Sequence, residues 1–192
     1  MKYVDLGGAG VRVSAVAVGC MRISALSQGE LSRFIHTALD CGVNFFDHAD
    51  IYGGGECETA FGRVLKEEPG LREKMVIQGK CGIRKGMYDF SKEHILESVD
   101  GILSRLNVDS LDVLLLHRPD ALMEPEEVGE AFDRLEAAGK VKRFGVSNFN
   151  ARQTDLLQSG LRQKLVANQL QFGLMHTGMI DHAICANTEF SG

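Results

Sequence analysis

The stretch LDVLLLH, residues 111–117, decides the fold class of this chain. Every residue from 111 to 116 except Asp112 is apolar, so both faces of a strand built from this run would avoid water. Strands that are buried on both faces are typical of parallel sheets, whereas antiparallel strands more often alternate apolar and polar residues. The run therefore predicts a buried strand of an α/β protein, and His117 stands directly at its carboxyl end.

Short apolar runs alternate with helical patterns along the chain. Strands are predicted at residues 16–19, 43–47, 75–78, 111–116, 144–146 and 165–170. Helices are predicted between them, and Ser27, Ser91 and Pro125 mark helix starts because these residue types favour the first turn. Six alternations of strand and helix predict a parallel sheet.

This pattern leaves two arrangements open, a doubly wound open sheet or part of a (β/α)8 barrel. A doubly wound dinucleotide-binding fold places Gly-x-Gly-x-x-Gly between its first strand and first helix. The stretch GGAG, residues 7–10, has a different spacing, precedes the first long strand and leads into no helix. We interpret it as the turn of an N-terminal β-hairpin. No repeat or linker divides the chain, so residues 1–192 are predicted to form a single domain.

The composition limits the partners and the compartment. The formal net charge is −5 and no basic block occurs, which argues against nucleic acid as the main partner. The longest apolar run is too short to span a bilayer, and the N-terminus lacks the apolar core of a secretory signal. The five cysteines are widely spaced without a Cys-x-x-Cys pair, so we expect reduced thiols in the cytoplasm and no metal site.

Polar side chains stand at the carboxyl ends of five successive predicted strands. They are Asp47, Lys80, His117, the pair Ser147 and Asn148, and the pair Asn168 and Gln169. In a parallel barrel these ends form one face, which is where the chemistry of such proteins is found. The side chains would therefore converge on one mouth if the fold is a barrel.

Four residues in this region form a set that can transfer a proton. The hydroxyl of Tyr52 can donate a proton to a carbonyl oxygen, and a neighbouring lysine cation makes a tyrosine a better acid by favouring the phenolate. Asp47 can hold Lys80 charged and oriented, and a neutral His117 can orient the carbonyl oxygen. Each residue alone has an ordinary structural explanation, but the four chemistries fit together. Because the set supplies no hydride, it implies a cofactor.

Motifs distributed along the chain point to one family. They are NFFDHADIYGGGE, VIQGKCG, LDVLLLHRPD, GKVKRFGVSNF and ANQLQF. In this order and spacing they resemble the aldo-keto reductases, and most closely a bacterial oxidoreductase subgroup. The resemblance implies a (β/α)8 TIM barrel, here incomplete with about six β/α units after the N-terminal β-hairpin. It also implies reduction of aldehydes and ketones to alcohols with NADPH, which becomes NADP+.

The resemblance assigns roles to individual residues. Asp47, Tyr52, Lys80 and His117 correspond to the catalytic tetrad, in which Tyr52 is the general acid. The positions that correspond to cofactor contacts are Gly19, Cys20, Met21, Asp47, Ser147, Asn148 and Gln169. Among these, Ser147, Asn148 and Gln169 would hold the nicotinamide carboxamide. His48 stands where many members have threonine, and we assign it no role beyond packing.

The family's last two strands have no counterpart in this sequence. The region for the adenosine 2′-phosphate and the aromatic that stacks on the nicotinamide are missing as well, and residues 181–192 resemble the loop after strand six. A six-stranded piece would leave two sheet edges unpaired, so we expect the chain to be part of a longer protein. If the chain ends at Gly192, we expect weak or absent NADPH binding and no reductase activity.

Two further functions are compatible with parts of the pattern. One is a non-catalytic, cofactor-sensing regulatory subunit, against which the complete tetrad argues. The other is a Schiff-base enzyme, in which Lys80 would be the nucleophile. The sequence selects neither a particular carbonyl substrate nor an oligomeric state. Candidates to line the substrate pocket are Arg22, Arg84, Tyr88 and Met175.

Overall fold

The structure of the protein is a computed structural model that describes residues 1–177. The strands are β1 (Tyr3–Asp5), β2 (Arg12–Ser14), β3 (Ala17–Gly19), β4 (Phe45–Asp47), β5 (Val76–Cys81), β6 (Ile83–Arg84), β7 (Met87–Tyr88), β8 (Val113–Leu116), β9 (Phe144–Ser147) and β10 (Leu165–Gln169). The α-helices are α1 (Gln28–Asp40), α2 (Glu56–Glu67), α3 (Lys92–Leu106), α4 (Pro125–Ala137) and α5 (Ala151–Ser159).

Six strands form one parallel sheet in the order β10-β9-β8-β5-β4-β3. Apart from the small antiparallel β6–β7 hairpin, this order follows the chain without reversal. A doubly wound sheet would instead change direction at a switch point. The progressive order therefore confirms the barrel, and the described residues form an incomplete (β/α)8 barrel.

Both faces of the sheet are buried, as the central strand shows most clearly. Leu114 and Leu116 belong to a large core that the helices share with the outer face of the sheet. Val113 and Leu115 point the other way and pack with Val166 on the inner face. Because successive side chains of a strand alternate between faces, the nearly unbroken apolar run fills both cores at once. This confirms the prediction from residues 111–116.

The helices begin where their capping residues predict. The side chain of Ser27 accepts a hydrogen bond from the backbone of Glu30, and the carboxylate of Glu30 accepts one from the backbone of Ser27. Ser91 caps α3 by accepting from the backbone N–H of His94, and Pro125 is the first residue of α4. These contacts satisfy N–H groups that the first helical turn leaves without partners.

The N-terminal hairpin covers the inner core at the amino ends of the strands. β1 and β2 pair antiparallel, and Leu6 and Ala9 of their connection pack against the inner core. Gly7 lies so close to β10 that a Cβ atom would stand 2.3 Å from the carbonyl oxygen of Val166. The ammonium group of Lys164 also donates a hydrogen bond to the carbonyl oxygen of Gly7 over 3.3 Å. The hairpin interpretation of residues 7–10 is thereby confirmed.

The structure differs from the expected element boundaries at a few positions. β5 continues to Cys81 because its pairing with β8 extends that far, so Lys80 lies within the strand. Phe46 is fully buried against Phe61, whereas Phe45, on the other face of β4, is only partly buried. Residues 181–192 lie outside the described part. Within residues 1–177, no helix is long and apolar enough to cross a membrane.

Candidate active site

Lys80 is the centre of the site and is almost completely buried, with 1% of its surface exposed. Its Nζ donates hydrogen bonds to Oδ1 of Asp47 over 2.5 Å, to the carbonyl oxygen of His48 over 3.0 Å and to the hydroxyl of Tyr52 over 3.1 Å. An ammonium group has three donors and no acceptor. All three donors are therefore used, which is how a buried lysine avoids an uncompensated charge.

Asp47 accepts hydrogen bonds from two residues of the neighbouring strand β5 and from one residue across the barrel. In the parallel register Asp47 lies beside Gln78, and Lys80 is two residues further along the same face of β5. The side chain of Gln78 donates to Oδ1 over 2.6 Å, and Gln169 donates to Oδ2 over 3.1 Å. With Lys80, the carboxylate accepts three hydrogen bonds from side chains. Its orientation is thus fixed from several directions.

The turn after β4 brings Tyr52 to Lys80. Tyr52 begins a 3₁₀ segment, Tyr52–Gly55, and its N–H donates to the carbonyl oxygen of Ala49 over 3.0 Å. Gly53, Gly54 and Gly55 follow with φ of 59°, 64° and 95°. Only glycine adopts this left-handed region without strain, so three consecutive glycines allow the chain to turn sharply into α2.

His117 faces Tyr52 across the mouth of the barrel. Its backbone N–H extends the β5–β8 pairing by donating to the carbonyl oxygen of Cys81 over 2.9 Å. Its ring centroid is 6.1 Å from that of Tyr52, and the two rings are nearly perpendicular at 83°. Burial, followed by the cations of Lys80 and Arg118, lowers the pKa of His117 to about 4. At neutral pH the imidazole is therefore uncharged.

The end of β9 adds a small polar network. Ser147 donates its hydroxyl hydrogen to the backbone oxygen of Gln169 over 2.9 Å. The side-chain amide of Asn148 donates to the hydroxyl of Ser147 and to the backbone oxygen of His117. Asn148 adopts a positive φ of 64°, which asparagine tolerates better than most residues. The side chains of Ser147 and Asn148 are thus fixed beside the histidine.

These groups surround one cavity of about 260 Å³ at the carboxyl ends of the strands. It is lined by Tyr52, Lys80, His117, Ser147, Asn148, Gln169, Leu170 and Gln171. A cavity of similar size near Ala9 and Lys164 lies at the opposite, amino end and gathers none of the predicted site residues. The structure therefore collects the predicted tetrad and the predicted carboxamide-binding residues around one site, with Asp47 directly behind Lys80.

The other expected contacts do not line this cavity. The side chain of Cys20 is completely buried, burial raises the pKa of its thiol, and its backbone N–H donates to the carbonyl oxygen of Asp47. Gly19 and Met21 are exposed beside it. Asn168, the remaining strand-end candidate, donates its side-chain amide to the carbonyl oxygen of Phe149 instead. The candidate pocket residues Arg22, Arg84, Tyr88 and Met175 also lie outside the cavity lining.

One contact of the site was not predicted from the sequence, and His48 packs as expected but, within residues 1–177, without hydrogen bonds to its ring. Gln78 binds Asp47 directly, and the signal for it was a polar residue two positions before Lys80 in an otherwise apolar strand. His48 is completely buried, and neither ring nitrogen has a hydrogen-bond partner in the described part of the chain. Its ring packs edge-on against Phe61 at a centroid distance of 4.6 Å. Burial lowers the pKa of His48 to about 3.

No group of three or more histidine, cysteine, aspartate or glutamate side chains within residues 1–177 could hold a metal ion. The ion pair of Lys80 and Asp47 lies beside Tyr52 and His117 at the cavity. Fold and site together define an α/β-barrel protein with a buried ion pair and a polar cavity at the carboxyl ends of its strands.

The family follows from comparison with known proteins. The model of the Aldo/keto reductase family matches residues 15–187, and the chain belongs to this family. It is 46% identical over 173 residues to the uncharacterized oxidoreductase YcsN of Bacillus subtilis, covering 84% of this chain and 58% of that protein. It is 42% identical over 190 residues to the oxidoreductase YdhF of Escherichia coli, covering 94% of this chain and 64% of that protein.

A solved structure agrees with this assignment. The glycerol dehydrogenase AKR11B4 from Gluconobacter oxydans superposes with a TM-score of 0.79 at 29% identity, over 91% of this chain and 56% of that chain. The chain thus spans 58% and 64% of the length of the two bacterial oxidoreductases and a similar share of this structure. Its six parallel strands account for most, but not all, of an eight-stranded barrel.

Proposed function

We propose that the protein reduces aldehydes and ketones to alcohols with NADPH, and that Tyr52 donates the proton. The observation that carries the proposal is the pair of contacts made by Lys80, whose ammonium group bonds both Asp47 and the hydroxyl of Tyr52. Family membership and the names of the bacterial relatives support an oxidoreductase in general. The preference for NADPH, the tyrosine acid and the carbonyl substrate are our proposals.

The proposed proton transfer depends on charge at Lys80. When the hydroxyl of Tyr52 gives up its proton, a phenolate remains, and the ammonium group 3.1 Å away stabilises that negative charge. Asp47 pairs with the lysine and holds it in position through a hydrogen bond of 2.5 Å. Because Lys80 is nearly excluded from water, solvent weakens these interactions less than it would on the surface.

His117 is proposed to orient the carbonyl oxygen. It lines the same cavity as Tyr52, and its pKa of about 4 leaves it neutral at physiological pH. A neutral imidazole can donate one hydrogen bond without competing as an acid. A carbonyl oxygen between the two rings would then meet the donor hydroxyl on one side and the imidazole on the other.

The cavity wall fits the carboxamide of a nicotinamide ring. The amide oxygen of Asn148 and the hydroxyl oxygen of Ser147 can accept from the NH2 group of a carboxamide, and the second amide N–H of Gln169 can donate to its oxygen, so the set complements a carboxamide. We propose that these three residues hold it, and that Gly19, Cys20 and Met21 contribute backbone groups because the side chain of Cys20 is buried. The bound nicotinamide would supply the hydride that no side chain of the site can supply.

We also propose a single domain in the cytoplasm, acting on small carbonyl compounds. The four described cysteines are free, and three of them are buried, which suits a reducing compartment. A nucleophilic role for Lys80 is disfavoured, since its ammonium group is buried and all three donors are bonded. A Schiff base would require the neutral amine and would break the ion pair with Asp47.

Replacing Tyr52 by phenylalanine tests the proposal. The assay follows NADPH oxidation with 4-nitrobenzaldehyde by the full-length protein, and Tyr52→Phe should lower kcat by about 10²–10⁴-fold, the usual contribution of a general acid. Cofactor affinity, measured by quenching of NADPH fluorescence, should stay near the wild-type value because the ring is retained. Tyr88→Phe is the matched control, since that hydroxyl accepts from Arg118 and does not line the cavity. Full turnover by Tyr52→Phe would remove Tyr52 as the acid.

A further inference from the structure

A second, partly buried ionic cluster lies behind the loop that carries Tyr52. Its members are Asp50, two residues before Tyr52, Glu58 in the first turn of α2, and Arg105 near the end of α3. Glu58 is completely buried, and its Oε2 accepts a hydrogen bond from Nε of Arg105 over 2.8 Å. Oδ1 of Asp50 and Oε1 of Glu58 are both buried and have no hydrogen-bond partner among the described residues. The cluster contains two carboxylates and one guanidinium group.

Arg105 fixes the end of the same loop by packing. A Cβ atom at Gly55 would stand 2.9 Å from Cδ of Arg105, and one at Gly101 would stand 2.9 Å from its Nη1. The side chain therefore lies between the last residue of the 3₁₀ segment and its own helix. Since the backbone N–H of Asp50 donates to the carbonyl oxygen of Lys80 over 3.1 Å, the start of the loop is joined to β5. The cluster thus contacts the Tyr52 loop at both ends.

The charges around Asp50 do not balance if all acids are ionised. Lys80 is bonded to Asp47, and Arg105 is bonded to Glu58, so each cation already has a carboxylate partner. Asp50 is left without a salt bridge in the described part of the chain. The groups that face it are Glu58 from α2, Arg105 from α3, and Lys80 with the buried thiol of Cys81 from β5. A buried carboxylate without a cation of its own is costly, and it avoids that cost by keeping its proton.

We propose that Asp50 is a positioning residue that holds a proton in mildly acidic solution and loses it around neutral pH, and that this loss displaces the loop carrying Tyr52. The effect of Asp50 on catalysis rests on the proposed reductase function, whereas the protonation of Asp50 does not. Burial, followed by the charge of Glu58, raises the pKa of Asp50 to about 7, in agreement with the missing cation. Ionised Asp50 would place a second negative charge beside Glu58, and the repulsion would act two residues before Tyr52.

The proton can be observed directly by NMR. In protein labelled with ¹³C at aspartate side chains, Asp50→Asn identifies the Asp50 carboxyl signal by its disappearance. That signal should titrate with a midpoint near 7 in the wild type, about three units above an ordinary aspartate. Glu58→Gln should move the midpoint down, since it removes the facing charge. A wild-type midpoint near the ordinary value would overturn the proposal.

Thermal unfolding checks the same proton without a labelled sample. Because the pKa of Asp50 is raised by folding, its contribution is most favourable below its unfolded value and is lost as the pH rises through about 7. The Tm of the wild type should therefore fall, relative to Asp50→Asn, between about pH 5 and pH 8. Asp155→Asn makes the same chemical change at an exposed residue of α5 and should follow the wild type. If the Tm of the wild type and the Tm of Asp50→Asn changed in parallel with pH, the proposal would be contradicted.

The positioning role is tested by the pH profile of turnover. Between about pH 6 and pH 9, kcat of the wild type should fall by roughly tenfold more than kcat of Asp50→Asn, since small displacements of a catalytic group are costly. The Kd for NADPH should change equally in both proteins. If both profiles coincide, Asp50 does not position Tyr52, even where the reductase itself is active. If no carbonyl compound is reduced, the proposed function fails, and the NMR and unfolding results still decide whether Asp50 holds the proton.

Discussion

Gln169 donates a hydrogen bond to Oδ2 of Asp47 over 3.1 Å, although their strands are not neighbours in the sheet. β9, β8 and β5 lie between β10 and β4 in the strand order. The bond can form only because the sheet curls, so that side chains of the inner face meet across the barrel. The sixth parallel strand thus takes part in holding the carboxylate that Lys80 depends on.

Replacing Gln169 by leucine should weaken this arrangement modestly. Asp47 keeps its bonds to Gln78 and Lys80. The change also removes the weaker bond that Gln169 accepts from Gln78 over 3.4 Å, so we expect a loss of about 1–2 kcal/mol in the free energy of unfolding. The measurement is urea unfolding of both proteins. Gln171→Leu is the control, because Gln171 is exposed and makes no hydrogen bond within residues 1–177. Equal effects of the two changes would show that the cross-barrel bond contributes nothing.

Breaking the ion pair of Lys80 should be far more costly. Lys80→Met leaves Asp47 buried without its cation, and such a change typically costs about 3–5 kcal/mol of stability. Lys140→Met is a control at the same N–O distance of 2.5 Å, since Lys140 pairs with the mostly exposed Asp100. Exposed pairs contribute only about 0–1 kcal/mol. Unfolding curves of the two variants therefore measure the effect of burial at equal geometry.

A double-mutant cycle separates the pair from the individual side chains. The double variant Asp47→Asn/Lys80→Met should cost less than the sum of the two single changes, because it leaves no unpaired charge in the barrel. A double variant whose cost equals that sum would mean that the two groups do not interact energetically.

His48 should make the protein sensitive to mild acid. Its pKa of about 3 lies below the value of about 6.5 in an unfolded chain, so its contribution to stability is present above pH 6.5 and is lost as the pH falls towards 3. At about pH 5 the wild type should have lost about 2 kcal/mol through this residue relative to pH 7. His48→Leu removes the two unbonded nitrogens and should gain stability relative to the wild type, more at pH 5 than at pH 7. Unfolding at both pH values measures this, and an equal effect at both would contradict a buried neutral imidazole.

Gly62 determines how closely α2 and α3 approach. A Cβ atom there would stand 2.1 Å from the carbonyl oxygen of Arg105, so Gly62→Ala must push the helices apart. Overpacking of this kind costs about 1–3 kcal/mol. Gly29→Ala in α1 is the opposite case, because nothing lies within 4 Å of its Cβ position. There alanine should stabilise by up to about 1 kcal/mol, since it restricts the unfolded chain and favours the helix. If Gly62→Ala and Gly29→Ala shifted the Tm in the same direction, the proposed close contact between α2 and α3 would be refuted.

Much of the fold could be predicted because its signals are local. The apolar run at residues 111–116, the cap at Ser27 and the glycine-rich turn at residues 7–10 each act within a few residues of chain. The gathering of Tyr52, Lys80 and His117 was predictable for a related reason, since parallel strands bring their carboxyl ends to one face.

The contacts that were missed join residues far apart in sequence. Gln78 binds Asp47 through strand pairing, Arg105 reaches Glu58 from another helix 47 positions away, and Gln169 reaches Asp47 across the interior. None of these has a periodic signal, because each depends on the register, the curvature or the helix packing of the finished barrel. The burial of the Cys20 side chain is similar, since the sequence there predicted only proximity to the cofactor.

The docking of Gly7 against Val166 constrains the order of events during synthesis. A ribosome makes the β1–β2 hairpin before β10, and the backbone against which Gly7 packs emerges only after residue 166 has been added. Until then Leu6 and Ala9 have no finished inner core to cover. The hairpin can therefore reach its final place only after β10 has been made, so it docks later than its position before β3 in the chain would suggest.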